Sequence, residues 1–419
     1  MPYRFPLIIA FISSLLFSLH AAESTKPRHI VLKSGWQTVN IGDIAHTPGI
    51  LHLLEQHLPE VGVTLWPNDI GDGIEEMLVK RFPKLRIAKG NIDANGKAST
   101  PELTQAMSDC DLLLHSSGPS LVAEKQIRAF VQATNKPFGV YGITLGTISD
   151  DTATFLNQAS FVYLRDSVST SLTQKHVTKC PLVAFGPDAA FACDLRDDNR
   201  AEAYLASKGL SDGRFVCVNS RFRYTPYFLI RNKPMSDTDR NRYEFSLAHA
   251  ESDHAKLRDT IIALVRIAKV RVLLCPEDQS QMAINKQYLF EPLPEDVKAQ
   301  VVWRDTFWRT DEALSTYARS LGMVNVDMHS PIMCIGNGIP AIHIRFKEQT
   351  SKGIMWNDIG LNDWLFDLDE EADGKRITAA ALEMVTNRQA ALARVTAAQA
   401  VLHKHQTESM AVIGRSLKK

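Results

Sequence analysis

The 419-residue chain carries 47 Lys and Arg against 47 Asp and Glu, so its formal net charge is +0. That balance supplies no basic face for nucleic acid. At 45% hydrophobic and 22% charged it has ordinary globular composition and the length for two full cores.

Residues 1–22 read as a secretory signal peptide: Arg4, then an apolar run over 7–19, then His20-Ala21-Ala22 as a small-residue cleavage site. The run is too short for a comfortable membrane span, which needs about 20 residues. A secreted or periplasmic protein is expected, with an uncleaved N-terminal anchor as the alternative. No other segment is expected to span a membrane.

Residues 29–33 read as a buried strand, 34–43 as a loop, 47–58 as a helix with Pro48 in its first turn, and 61–66 as the next strand. The loop is not GxGxxG, so a dinucleotide fingerprint is absent. Asp43 either caps the helix or meets a hydroxylated ligand. The strand-then-small-loop pattern recurs at 109–120, with a helix at 124–134, and again at 137–146. A strand at 161–166 runs into a helix at 167–174, and 182–188 is a further strand. Strands alternating with helices predict an α/β protein with a mostly parallel, doubly wound sheet whose carboxyl ends form a ligand-binding rim.

A polar stretch over 193–213, with a helix at 201–208, reads as a linker. The expected division is a first Rossmann-like domain over 23–195, a linker over 196–212, a second such domain over 213–375, and C-terminal helices over 376–419. In the second half a strand over 214–224 ends in Arg221 and Arg223, and 227–242 reads as a mobile polar loop. A helix follows at 254–270, a strand with acids at its end at 271–278, a short strand at 301–303 and a helix at 310–321. Residues 324–328 then form a strand and 331–335 a short helix, with Ser330 as N-cap and Pro331 at the first helical position. Gly336 and Gly338 end that helix before a strand at 340–344. His329 thus falls where a strand's carboxyl end meets a helix N-terminus, a place that receives anions. One or two long helices over 378–417 pack back across both domains.

The six cysteines form no CxxC pair. Cys110, Cys217, Cys275 and Cys334 read as buried free thiols, while Cys180 and Cys193 are close enough in sequence to pair. The histidines are scattered without carboxylate spacing, so no metal site is expected.

Several pieces in this order resemble the polysaccharide pyruvyl transferase family. They are Asn40-Ile41-Gly42-Asp43, Leu112-Leu113-Leu114-His115-Ser116-Ser117-Gly118, Val140-Tyr141-Gly142-Ile143-Thr144-Leu145-Gly146, Val162-Tyr163-Leu164-Arg165-Asp166-Ser167-Val168-Ser169, Gly186-Pro187-Asp188-Ala189-Ala190-Phe191, Met328-His329-Ser330 through Gly338-Ile339-Pro340, and Lys352-Gly353 ahead of Gly360-Leu361. The resemblance spans about residues 29–366. Two departures stand out: Asp327 where the family usually carries Arg, and Ser116-Ser117 where a glycine run is usual.

The resemblance implies a GT-B-like pair of Rossmann-like domains facing across a cleft, and transfer of a pyruvyl group from phosphoenolpyruvate to sugar hydroxyls as a ketal. Phosphoenolpyruvate is then a donor substrate, no cofactor is implied, and the acceptor is a polysaccharide or oligosaccharide. Arg221, Arg223, Ser330, Arg345 and Lys352 are the candidates for holding the donor's carboxylate and phosphate. His329 is the candidate general acid toward the methylene carbon, and Asp43 the candidate base toward the acceptor hydroxyl. Asn40, Gly42, Ser117 and Gly118 fall on the acceptor side. Trp36 and Tyr224 either pack within the core and loops, the expected role, or stack on sugar faces. The alternatives are a GT-B-type glycosyltransferase and a non-catalytic carbohydrate-binding protein on the same fold.

Overall fold

The computed structural model describes residues 27–417. The proposed leader at 1–22 lies outside the described residues. Seven strands form the first sheet: β1 His29–Ser34, β2 Gly62–Pro67, β3 Arg86–Ile87, β4 Leu112–His115, β5 Phe138–Ile143, β6 Val162–Leu164 and β7 Val183–Phe185. Six form the second: β8 Phe215–Asn219, β9 Arg271–Leu274, β10 Val301–Trp303, β11 Gly322–Asn325, β12 Ala341–Arg345 and β13 Leu365–Asp367. Their orders are β3-β2-β1-β4-β5-β6-β7 and β10-β9-β8-β11-β12-β13. Every ladder is parallel. Each sheet is therefore doubly wound and reverses its order beside its first strand. The crevice at such a reversal is where ligands bind. The loops after β1 and β4 on one side, and after β8 and β11 on the other, face a common cavity.

One element joining the halves is the helix Ile41–His57, whose Ile41 N–H donates to the Glu277 carbonyl. Thirteen of its residues are buried, which suits a helix that is apolar nearly all round. It starts six residues earlier than its sequence suggests. The Asn40 side chain accepts from the backbone N–H of Gly42 and Asp43 at 2.8 and 3.3 Å. That cap starts the helix, and Pro48 lies inside it rather than in its first turn.

The stretch around His329 also differs from expectation. β11 ends at Asn325 and the helix His329–Gly336 begins with His329 itself. Ser330 does not cap it. The Ser330 N–H donates instead to Glu277 Oε2 at 2.7 Å, so a carboxylate from the end of β9 satisfies that orphan donor. Pro331 is its third residue.

β8 stops at Asn219, so Arg221 and Arg223 lie beyond it. The segment expected to be a loop over 227–242 is largely helical. It holds a turn at Tyr227–Ile230 and the start of a 30-residue helix, Asp237–Arg266, fixed by a Ser236–Asp239 capping box. The helix Asp198–Ser207 in the stretch between the sheets carries Ala201 and Leu205 into the core. All six cysteines are free; Cys180 donates its thiol to the Ala159 and Leu182 carbonyls at 3.3 Å, and Cys193 is buried in the larger core cluster away from it.

The chain closes with helices Asp373–Thr386 and Arg388–Ser416. The second bridges both halves. Gln399 donates to the Gly336 carbonyl at 3.0 Å, while His405 packs edge-on against Phe185 of the first sheet. Among the described residues no helix is long and apolar enough to cross a membrane.

Candidate active site

A cavity of about 520 Å³ opens between the two sheets. Trp36, Gln37, Asn40 and Asp43 line it from the first half; Arg221, Tyr224, Asp327, His329 and Lys352 line it from the second. Contacts between the halves bound it. Ile41 N–H donates to the Glu277 carbonyl at 3.0 Å, Arg231 donates to Gln37 Oε1 at 2.8 Å, and Gln37 donates to the Tyr227 hydroxyl at 3.3 Å.

On the first wall, Asp43 accepts from the Gln37 amide through one oxygen. Its other oxygen is 3.8 Å from His46 Nε2. His46 is fully buried, and its Nδ1 sits 2.9 Å from Asp188. Arg165 holds the other Asp188 oxygen at 2.6 Å and donates to Thr144 Oγ1 at 2.7 Å. Burial alone would raise the Asp188 carboxyl, but His46 and Arg165 outweigh it and hold the group well below the usual range.

On the second wall, Asp327 lies 3.4 Å from Arg221 and 3.8 Å from Lys352. Burial would raise this carboxyl too; Arg221 first, then Lys352, keeps it ionised. His329 Nδ1 meets Glu277 Oε1 at 3.0 Å. Burial, then Lys352, lowers the imidazole to about 3, so it is neutral here. Burial and the neighbouring Asp327 push Glu277 well above the usual carboxylate range. The His329–Glu277 pair therefore carries its exchangeable proton between two neutral partners.

Of the candidate residues, Asn40, Asp43, Arg221, Arg223, His329 and Lys352 line the cavity; Gly42, Ser117, Gly118, Ser330 and Arg345 do not. Arg223 is engaged by Asp253 and Asp369 at 2.8 Å and by Glu348 at 3.0 Å, so three carboxylates already occupy its guanidinium. Arg345 approaches Asp367 at 4.0 Å. Ser330 Oγ is buried 3.2 Å from the Tyr317 hydroxyl. Ser117 Oγ accepts from the Ala189 N–H at 2.9 Å. Gly42 has a packing reason: a Cβ there would lie 2.0 Å from the Cβ of His329, so only glycine lets the two helix starts meet.

The sequence reading passed over His46, Glu277 and the Arg165–Asp188 pair as site partners. Asp43 and His46 carried a signal, because residues three apart share a helix face. Two groups bring donor atoms within 4.8 Å of one another: Asp43, His46 and His329, and Glu277, Asp327 and His329.

Residues 40–347 match the family described as polysaccharide pyruvyl transferase. No curated protein matches the chain in sequence. Among solved structures, a putative UDP-N-acetylglucosamine 2-epimerase from Listeria monocytogenes is 12% identical over 93% of this chain and 96% of its own, with a TM-score of 0.58. Anabaena Alr3699/HepE in complex with UDP is 10% identical over 93% and 100%, with a TM-score of 0.54. An alpha,alpha-trehalose-phosphate synthase (UDP-forming) from Burkholderia vietnamiensis is 9% identical over 93% and 100%, with a TM-score of 0.52. At these identities the likeness concerns the fold alone, which is the two-domain GT-B arrangement.

Proposed function

The chain belongs to the polysaccharide pyruvyl transferase family, and on that premise we propose that it moves the pyruvyl carbons of phosphoenolpyruvate onto two hydroxyls of a saccharide acceptor. One observation carries the reading: Arg221 and Lys352 stand on one wall of the cavity beside His329, facing Asp43 on the other wall. A donor with a carboxylate and a phosphate fits two such cations.

In this reading Arg221 and Lys352 hold the donor anion, displacing Asp327 as their partner. His329 delivers a proton to the methylene carbon, which becomes the methyl group, and takes in exchange, at Nδ1, the proton held by neutral Glu277, so the imidazole starts and ends uncharged. The neighbouring carbon turns electrophilic, and an acceptor hydroxyl adds there as Asp43 takes its proton. Phosphate then leaves, and a second hydroxyl closes the ketal. Of the two hydroxyl protons, one balances that given to the methylene carbon and the other leaves with phosphate. Trp36 and Tyr224 flank the acceptor.

The test is thermal shift with millimolar phosphoenolpyruvate, with uridine diphosphate as a second ligand. Wild type should be stabilised, Arg221→Ala should lose the shift, and His329→Ala should keep it while losing turnover. Asp327→Asn frees both cations and should tighten donor binding by about tenfold, since a ligand no longer competes with an internal carboxylate. A shift with uridine diphosphate alone would turn the assignment to glycosyl transfer on the same fold. Silence with both ligands would leave a saccharide-binding protein whose cations Asp327 has already neutralised.

A further inference from the structure

We infer that Asp43, His46 and His329 form a binding site for one divalent transition-metal ion at the wall of the cavity. Donor atoms from the three side chains lie within 4.8 Å of one another. His46 supplies the independent observation. It is fully buried, its Nδ1 is taken by Asp188 at 2.9 Å, and its Nε2 has no hydrogen-bond partner. A buried ring nitrogen left without a partner costs free energy that a bound cation recovers. That nitrogen is 3.8 Å from an Asp43 oxygen.

The arrangement behind the histidines fits the same conclusion. Each has its Nδ1 on a buried carboxylate, Asp188 for His46 and Glu277 at 3.0 Å for His329. The ionised Asp188 fixes the His46 tautomer that leaves Nε2 as a ligand, while Glu277 orients the His329 ring, whose Nε2 gives up its proton when it takes the ion. Arg165 pins Asp188 in turn at 2.6 Å. Two imidazoles and one carboxylate select a borderline ion such as zinc over magnesium or calcium, and three protein ligands leave a coordination position for water or a hydroxyl. The neighbouring trio of Glu277, Asp327 and His329 is the poorer cage. Glu277 is already engaged by the Ser330 N–H, and Asp327 by Arg221 and Lys352.

The site shares His329 with the reaction proposed above, and an ion on its remaining nitrogen stops that ring from delivering a proton. The metal-loaded and proton-donating forms are therefore alternative states of one cavity. Metal binding itself does not depend on which donor the enzyme uses.

The experiment is a cobalt(II) titration of the untagged, chelator-treated full chain, followed by visible absorption, with zinc as competitor. Wild type should develop d–d bands that saturate at one ion per chain and are erased by zinc. Affinity should fall about tenfold or more in His46→Ala and in Asp43→Ala. Asp43 lies at the cavity wall, so its variant keeps the test open if the buried His46 site does not tolerate truncation; circular dichroism checks both folds. Absence of cobalt bands in wild type, or wild-type affinity in a folded Asp43→Ala, overturns the site. Neither result changes the phosphoenolpyruvate shift that depends on Arg221, so the two proposals fail separately.

Discussion

Charges buried at the carboxyl ends of strands set much of the behaviour of single residues here. Lys33, at the end of β1, is fully buried, stacks its ammonium 4.3 Å over the Trp66 ring, and its Nζ has no hydrogen-bond partner. Burial lowers it from 10.5 to about 7. Between those values the unfolded chain binds the proton that the folded chain releases. Stability should therefore rise with pH through that window, with a slope from this group approaching about 1.4 kcal/mol per pH unit. Lys33→Met removes the ionisable group and keeps the apolar stem over Trp66. It should be the more stable protein at pH 7 and lose the advantage by pH 10. Urea denaturation of both proteins across this range measures the difference, and parallel curves would refute it.

At the scale of elements, two glycines let backbone pack on backbone, Gly49 on the helix Ile41–His57 and Gly336 where the halves meet. A Cβ on Gly49, inside the helix Ile41–His57, would lie 1.9 Å from the Ala189 carbonyl oxygen, and one on Gly336 would lie 1.8 Å from that of Phe191. Gly-to-Ala in an exposed helix stabilises by about 1 kcal/mol. Gly49→Ala should reverse that sign and cost about 2–3 kcal/mol, because the obstacle is a carbonyl of the short turn Ala189–Ala192 and not a flexible side-chain end. Chemical denaturation reads it directly, and a midpoint at or above wild type would show that the turn yields. The same close approach places Asp43 and His46 against His329, so the glycines serve the cavity as well as the core.

For the whole molecule, the helix Arg388–Ser416 ties the sheets together. It buries Val395, Leu402, Met410 and Ile413 and reaches from Gly336 to Phe185. Ending the chain after Asn387 uncovers that apolar stripe on both halves. The truncated protein should bind a hydrophobic dye and unfold at lower denaturant, with the sharp single transition lost. Retention of the full-length midpoint would mean that the helix only decorates the surface.

The sequence by itself determined the alternation of apolar runs and helices, because buried parallel strands and their crossovers write a local pattern of hydrophobicity and glycine. It also marked the strand ends where Asp43, Arg221 and His329 stand, since small and polar residues gather there. Local signals also missed elements: the Asn40 cap and the Ser236–Asp239 box outweighed the proline and polarity on which the expected boundaries rested. Only the tertiary structure decided which charges meet. Arg223 looks like Arg221 in sequence, yet three carboxylates from 253, 348 and 369 claim it. His46 finds Asp188 142 positions away, and His329 finds Glu277 52 positions away. Such pairings leave no trace in local periodicity; they follow from how one buried helix seats against the second sheet, and they decide which side chains remain free to act.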